Sequence, residues 1–372
     1  YLKTTMLLKI KTFLYKIWLI IPYSFGSKSV KKYEKNGENA VLRKLLDLAE
    51  WLFRDNFFNV NYYAWRLNIK GAKQSDYIGR KELLSIKNKN ETRLKRRLGN
   101  EKLNYEIITK DKFYSGALFA ANNLPVIPVL GIVSQKEVLY VSGKTEDISM
   151  LYNRTTPFVL KNTVMEAGGG FLLCKPDKEM LVVNDKAISP KEFKGLLGTG
   201  KWVLQPQIKS HREISRINSS ALNTTRIVTV FDGERPVYLT GFQSFATSNC
   251  EIDSWSKGAV YVGIDPARNC LKPYGYFQPQ VGNMAITEKH PDSGIVFRDY
   301  IIKDLSKAVE LCVSAHKLLY ASFIIGWDIA ITNDGPLIVE ANEKPGMNAV
   351  QCFDGGLREK IKTFVNKTIN YV

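Results

Sequence analysis

The chain has 372 residues, 45% of them hydrophobic and 11% aromatic, which is enough to bury a large core and too apolar for a disordered scaffold. Its five cysteines, Cys174, Cys250, Cys270, Cys312 and Cys352, form no Cys-x-x-Cys pair and its three histidines, His211, His290 and His316, lie far apart; this speaks against a zinc cluster, a disulfide framework or a Cys-His dyad, and leaves the chemistry to carboxylates and cations. The net charge of +17 is uneven, with 22 Lys and Arg against 8 Asp and Glu in residues 1–100 and 31 against 28 in the rest, so an N-terminal quarter attracts phosphates, anionic lipids or acidic sugars.

In chain order, residues 7–22 alternate apolar positions with Lys9, Lys11 and Lys16. In this segment the uncharged stretch 17–26 falls far short of the roughly 20 apolar residues of a membrane span, so no transmembrane helix is expected. Lysines beside Phe13, Tyr15, Trp18 and Ile20 suit either a helix lying on the inner-membrane surface or one packed on the protein's own core. The location read from this and from the unpaired cysteines is the cytoplasm, with peripheral membrane contact as an option. Residues 39–58 carry apolar side chains at helical spacing, and 81–98 form a basic helical run that ends at Gly99. Tyr62, Tyr63 and Trp65, set among positive charge, keep a nucleic-acid-binding protein open as an alternative.

A boundary near Asn100 divides a basic helical region, 1–100, from two α+β lobes, 101–208 and 209–372. Strands are expected at 129–133, 138–141, 158–160, 171–174, 202–204, 226–231 and 237–242. A helix follows over 301–319 and a hairpin over 323–341.

Four motifs carry chemistry. Lys110-Asp-Lys-Phe113 opens a helix, with Lys112 a candidate phosphate cation. Phe158-Val-Leu-Lys161 is a strand ending in lysine; the glycines that follow, Gly168, Gly169 and Gly170, let backbone N–H groups approach a triphosphate without β-carbons in the way. Val203-Leu-Gln-Pro-Gln-Ile208 reads as a strand entering a linker, whose Gln205, Pro206, Gln207 and Ile208 offer free backbone groups to an adenine edge. The most informative motif is Gly326-Trp-Asp-Ile-Ala-Ile-Thr-Asn-Asp-Gly-Pro-Leu-Ile-Val-Glu-Ala-Asn342. Asn333, Asp334 and Gly335 suit a three-residue hairpin loop closed by a left-handed glycine. Thr332 then pairs with Pro336, which sets Asp328 opposite Glu340, and alternation puts Asn342 on the same face. Two facing carboxylates repel unless a cation sits between them, and Mg²⁺ takes hard oxygen ligands of this kind.

The ordered set Asp111-Lys112, Lys161, Gly168 to Gly170, Gln205 to Ile208, and Asp328 with Glu340-Ala-Asn342 resembles the ATP-grasp superfamily, as in biotin carboxylase and D-alanyl-D-alanine ligase. Ser219-Ser-Ala-Leu-Asn-Thr-Thr-Arg226-Ile-Val-Thr and Gly326-Trp-Asp-Ile-Ala resemble its sugar-transfer-associated branch, whose members tend to belong to bacterial surface polysaccharide and capsule pathways. The resemblance implies an α+β ATP-grasp fold that sandwiches ATP and Mg²⁺. Lys112 and Lys161 would hold phosphates, the glycine loop would close over them, Pro206 and Ile208 would read adenine, and Asp328, Glu340 and Asn342 would hold the metal. Gln205 stands where relatives often place a glutamate, and its amide oxygen can still accept from an adenine amino group. The activity implied is a ligase: a carboxylate takes the γ-phosphoryl group and an amine or amino acid displaces it, forming an amide on an anionic sugar or glycan. Arg226 is the candidate for the transferred phosphoryl group, and Lys257 and Arg268 are candidates for acceptor or phosphate. A kinase acting on a hydroxyl of an anionic small molecule is the alternative within the same fold.

Overall fold

The computed structural model describes residues 15, 18, 41–55, 59, 61–165, 170–177, 180–248, 250–279 and 285–371. Most of the expected helix over 7–22 lies outside these residues, as do Gly168 and Gly169. No helix among the described residues is long and apolar enough to cross a membrane.

Helix α1 (Val41–Asp55) forms where the apolar spacing predicts it, and α2 (Arg80–Arg97) where the basic run ending at Gly99 does. Between them, Tyr62, Tyr63 and Trp65 are each at most 1% exposed and pack with Leu48 and Trp51 of α1 and with Tyr276 and Cys352 from far along the chain. This corrects the nucleic-acid alternative. Each buried aromatic ring removes about 150–250 Å² from water, and none of the three presents a face on which a base could stack. Helices α3 (Tyr105–Lys110) and α4 (Lys112–Ala121) are started by side-chain caps: Asn104 accepts from the N–H of Glu106, and Asp111 accepts from those of Phe113 and Tyr114 at 2.8 and 3.3 Å. The Asp111 cap fixes Lys112 in the first turn of α4.

The first lobe's sheet contains β1 (Gly131–Val133), β2 (Glu137–Tyr140), β3 (Thr145–Asp147), β4 (Phe158–Asn162), β5 (Phe171–Asp177), β6 (Met180–Val183), β7 (Lys186–Ile188) and β8 (Trp202–Pro206). Their order is β3-β2-β1-β8-β4-β5-β6-β7, all pairs antiparallel. One face, with Phe158, Leu160, Cys174 and Leu204, is covered by α5 (Pro190–Leu197) through Phe193 and Leu197. After α6 (Arg212–Ile217) comes the second sheet: β9 (Thr225–Phe231), β10 (Pro236–Phe245), β11 (Val260–Asp265), β12 (Cys270–Tyr276), β13 (Ile286–Thr287), β14 (Ile324–Thr332) and β15 (Gly335–Asn342), in the order β13-β12-β11-β10-β9-β14-β15. Its strands bury both faces. Ile227, Ile325, Trp327 and Ile329 pack on α7 (Leu305–Leu318), while Val228, Val230 and Ile324 meet Leu83 of α2 and, beyond α8 (Val350–Asp354), Ile361 of α9 (Arg358–Tyr371). The segment 123–128 joins the lobes, with the N–H of Ile127 donating to the Ile338 carbonyl at 3.0 Å.

Helix α7 begins four residues later than its apolar pattern predicts. The preceding residues are held in extended pairing: the Ile302 N–H reaches Asn269, and that of Lys303 reaches the Glu213 carboxylate. Asp304 turns the chain with φ of +64°.

Candidate active site

The site is a row of side chains across adjacent antiparallel strands. Phe242 pairs with Arg226, Arg226 with Asp328, and Asp328 with Glu340, so alternation sends all four to one face of the second sheet. Arg226 grips Asp328 with two nitrogens: Nε lies 2.6 Å from Oδ1, and Nη2 donates to Oδ2 at 2.9 Å. The Asn342 amide donates to Glu340 at 3.1 Å and reaches Asp328 at 3.4 Å. Gly326 lies beside Arg226 for want of space; a β-carbon there would stand 3.0 Å from Nη1 and 2.9 Å from Pro345.

The expected pairing of Asp328 with Glu340 is present, reached by a different route. The turn is one residue tighter than expected, with Thr332 paired to Gly335 and not Pro336. Thr332 stabilises it, its hydroxyl accepting from Asp334 N–H and donating to the Gly335 carbonyl. The register then slips by one between Ile329 and Asp328, where Val339 is the extra residue. Two slips of opposite sense restore the carboxylate pair.

Opposite this row stands the free face of the first sheet. Val159, Lys161, Phe171, Leu173 and Gln205 share that face by their pairing, and Lys161 faces the carboxylates. The space between is a cavity of about 640 Å³ lined by Lys112, Lys161, Gly170, Arg226, Asp328, Glu340 and Asn342, among others. A second cavity of about 330 Å³ shares Lys161, Phe171, Leu222 and Glu251 with it and extends to Gln205, Pro206, Gln207 and Ile208. The backbone of Gln207 and Ile208 makes no hydrogen bond to a described residue. Lys112 donates to the Met165 carbonyl at 2.7 Å, and Asn162 turns the chain there by accepting from the N–H groups of Val164 and Met165.

Burial and mutual repulsion govern the charges. Burial and the neighbouring Glu340 push the Asp328 carboxyl upward against the pull of Arg226. Burial also works to raise Glu340, but its hydrogen bond with Asp328 and the fields of Lys161 and Arg226 outweigh this and hold it below the usual range. A cation seated between the two carboxylates would relieve their repulsion. Burial lowers Lys161 despite Glu340 and Asp328.

A model of the sugar-transfer associated ATP-grasp family matches residues 89–366. The chain belongs to that family. Among solved structures, this ATP-grasp chain is similar to a D-alanine–D-alanine ligase from Bacillus anthracis complexed with ATP: identity is 14%, the match covers 74% of this chain and 72% of the ligase, and the TM-score is 0.40. A Staphylococcus aureus N5-carboxyaminoimidazole synthetase complexed with ADP is 12% identical over 74% of this chain and 59% of its own, with a TM-score of 0.38. The chain spans 46% of the length of another such enzyme, the ADP complex of the ribonucleotide synthetase purK, at 13% identity over 65% of this chain and a TM-score of 0.39. No curated protein sequence matches it.

In this ATP-grasp chain Lys257 and Arg268 do not line the cavity. Lys257 is exposed at the end of a short 3₁₀ turn, and Arg268 is tied at 2.8 Å to both Asp265 and Asp299 on an exposed turn. Among the residues that motif reading passes over and that do line it are Asp253 and Glu251. Asp253 accepts from the N–H and hydroxyl of Thr224 at 2.6 and 2.7 Å, and Glu251 lies 3.6 Å from Lys175 of the other lobe. Both sit in a loop without periodicity. Only the extra acidic residues of Cys-Glu-Ile-Asp hint at them.

Proposed function

We propose that this ATP-grasp chain is an ATP-dependent ligase that joins an amine or amino acid to the carboxylate of an acidic sugar in a bacterial surface polysaccharide. The observation that carries the reading is the set of Arg226, Asp328, Glu340 and Asn342 facing Lys161 across one cavity. Carboxylate and amide oxygens fit Mg²⁺, and the facing carboxylates with the Asn342 amide between them mark where a cation would relieve repulsion. Asp328, Glu340 and Asn342 would hold it. When bound, Mg²⁺ neutralises charge on the phosphate oxygens.

Lys112 and Lys161 orient the triphosphate, and the second cavity, with the free backbone of Gln207 and Ile208, takes the base. Arg226, pinned by Asp328, turns its remaining N–H groups toward the transferred phosphoryl group. An acceptor carboxylate oxygen attacks the γ-phosphorus and the bond to ADP breaks, leaving an acyl phosphate. The amine nitrogen adds to the acyl carbon and loses its proton, and the C–O bond breaks to release phosphate. Positioning of this kind supplies up to about 7–11 kcal/mol of the barrier. Residues 101–208 and 209–372 serve the nucleotide in this reading, and the basic region 1–100 serves the acceptor or an anionic membrane surface on the cytoplasmic side.

The test is product analysis with Mg-ATP, D-glucuronate and a mixture of amino acids. Free phosphate and an amide should appear only when the uronate is present, and Glu340→Ala should lower kcat roughly 10²–10³-fold, as loss of one preorganised electrostatic contact does. ADP with a phosphorylated sugar and no free phosphate would indicate the kinase. Turnover indifferent to every carboxylate would overturn the ligase.

A further inference from the structure

Among the described residues, the cavity's cations fall into sets, and one is left over. Lys112 and Lys161 face the phosphate side, and Arg226 is bound to Asp328. Lys110 and Lys344 both close on Glu106, at 2.8 and 2.7 Å, and hold that carboxyl down at about 2. Arg80 also lines the cavity, is exposed, and makes no ion pair or hydrogen bond with a described residue.

Its backbone is anchored by neighbours on both sides. The Gln351 amide accepts from the Ile78 N–H at 3.0 Å and donates to the Ile78 carbonyl at 3.1 Å. Arg358 donates to the Tyr77 carbonyl at 2.8 Å and to Glu82 at 2.7 Å, and Leu83 is buried. The start of α2 is thus fixed on both sides of Arg80. Position 80 also precedes the matched family region, 89–366.

We propose that Arg80 binds the carboxylate of the acidic sugar acceptor, a specificity residue supplied from outside the nucleotide-binding fold. The inference rests on the ligase reading. A guanidinium presents a planar fork that matches a carboxylate in two parallel hydrogen bonds, which a lysine does not reproduce. Phe242 and Tyr261, stacked on each other at 4.2 Å with Tyr261 also stacked on Trp255, add apolar ring edges to the wall of the same cavity. A uronate meets both features.

The test uses the full chain with Mg-ATP, D-glucuronate as probe, D-glucose as its neutral counterpart, and hydroxylamine, which traps an acyl phosphate as a hydroxamate whatever the natural amine. Wild type should form hydroxamate from glucuronate and none from glucose. Arg80→Gln should raise KM for glucuronate about 10–100-fold, the range for losing a hydrogen-bonded charge pair, and Arg80→Lys should fall between; KM for ATP should stay within about twofold. An unchanged KM for glucuronate in Arg80→Gln overturns the assignment. So does a rise confined to KM for ATP, which would make Arg80 a phosphate contact, and so does wild type that binds Mg-ATP yet gives no hydroxamate from glucuronate. Failure to bind Mg-ATP at all would instead sink the ligase reading itself.

Discussion

His316 does not line the cavity, yet it sits directly behind Trp327, the neighbour of Asp328. The Trp327 indole N–H donates to Thr229 Oγ1 at 2.8 Å, the Thr229 hydroxyl lies 2.7 Å from Nδ1, and Nε2 lies 3.0 Å from the Ser322 carbonyl. One neutral tautomer satisfies every member: Thr229 donates to Nδ1 and Nε2–H donates to the carbonyl. Adding a proton at Nδ1 would leave the Thr229 hydroxyl hydrogen without an acceptor. Burial accordingly lowers this imidazole from 6.5 to about 4. A pKa depressed in the folded state means the unfolded chain binds more protons between these values, so the contribution is complete above pH 6.5 and is lost as pH falls toward 4. Its size is about 3 kcal/mol at 1.36 kcal/mol per unit. Urea midpoints at pH 7.5, 6 and 5 should fall with pH more steeply for wild type than for His316→Gln. Among single residues, Asp328 and Glu340 were legible from the hairpin motif, Asn342 from strand alternation, and Arg226 from the family resemblance. Asp253 and Arg80 were not, since a loop and a helix start have no period to read, and charge alone drew attention to Lys257 and Arg268, whose partners are local.

At the scale of elements, the glycine loop shows how a requirement for space differs from one for backbone freedom. A β-carbon on Gly170 would lie 2.5 Å from that of Asn162, the residue whose side chain turns the chain at Val164 and Met165, and whose own N–H donates to the Gly170 carbonyl at 2.8 Å. Gly170→Ala must push these two segments apart, a cost of about 1–3 kcal/mol by the usual penalty for overpacking. A lower melting temperature together with a raised KM for ATP would confirm it; unchanged values of both would show that the loop relaxes freely. The hairpin teaches the complementary lesson. Its carboxylate pair matches expectation because two slips cancel: hydrogen bonds of the Thr332 side chain select a tighter turn than the sequence suggests, and Val339 absorbs the difference. Helix α7 likewise keeps its predicted apolar face but loses its first turn to tertiary hydrogen bonds that no local pattern announces.

Over the whole molecule, α2 is tied to the strand end that carries the site. Lys87, almost fully buried, lies 2.6 Å from Glu91 and 3.5 Å from Glu343, which follows Asn342 directly. Glu91 also accepts from the Phe323 N–H at 3.0 Å, and Ser322 donates to Glu343 at 2.8 Å. Removing this cation leaves two carboxylates buried without it. Lys87→Met should therefore cost roughly 3–5 kcal/mol, read from chemical unfolding, and Lys87→Arg should recover part of it. A loss under about 1 kcal/mol would mean that water already screens the group. The basic composition of residues 1–100 did not announce this anchoring, because it comes from a few apolar and paired residues within a charged stretch. The contacts that fix α2 join positions 232 to 281 residues apart in sequence. During synthesis, the Tyr77–Glu91 segment must then wait, its cations uncovered, until nearly the entire second sheet has left the ribosome. Assembly of the side of the cleft that carries Arg80 is consequently a late event.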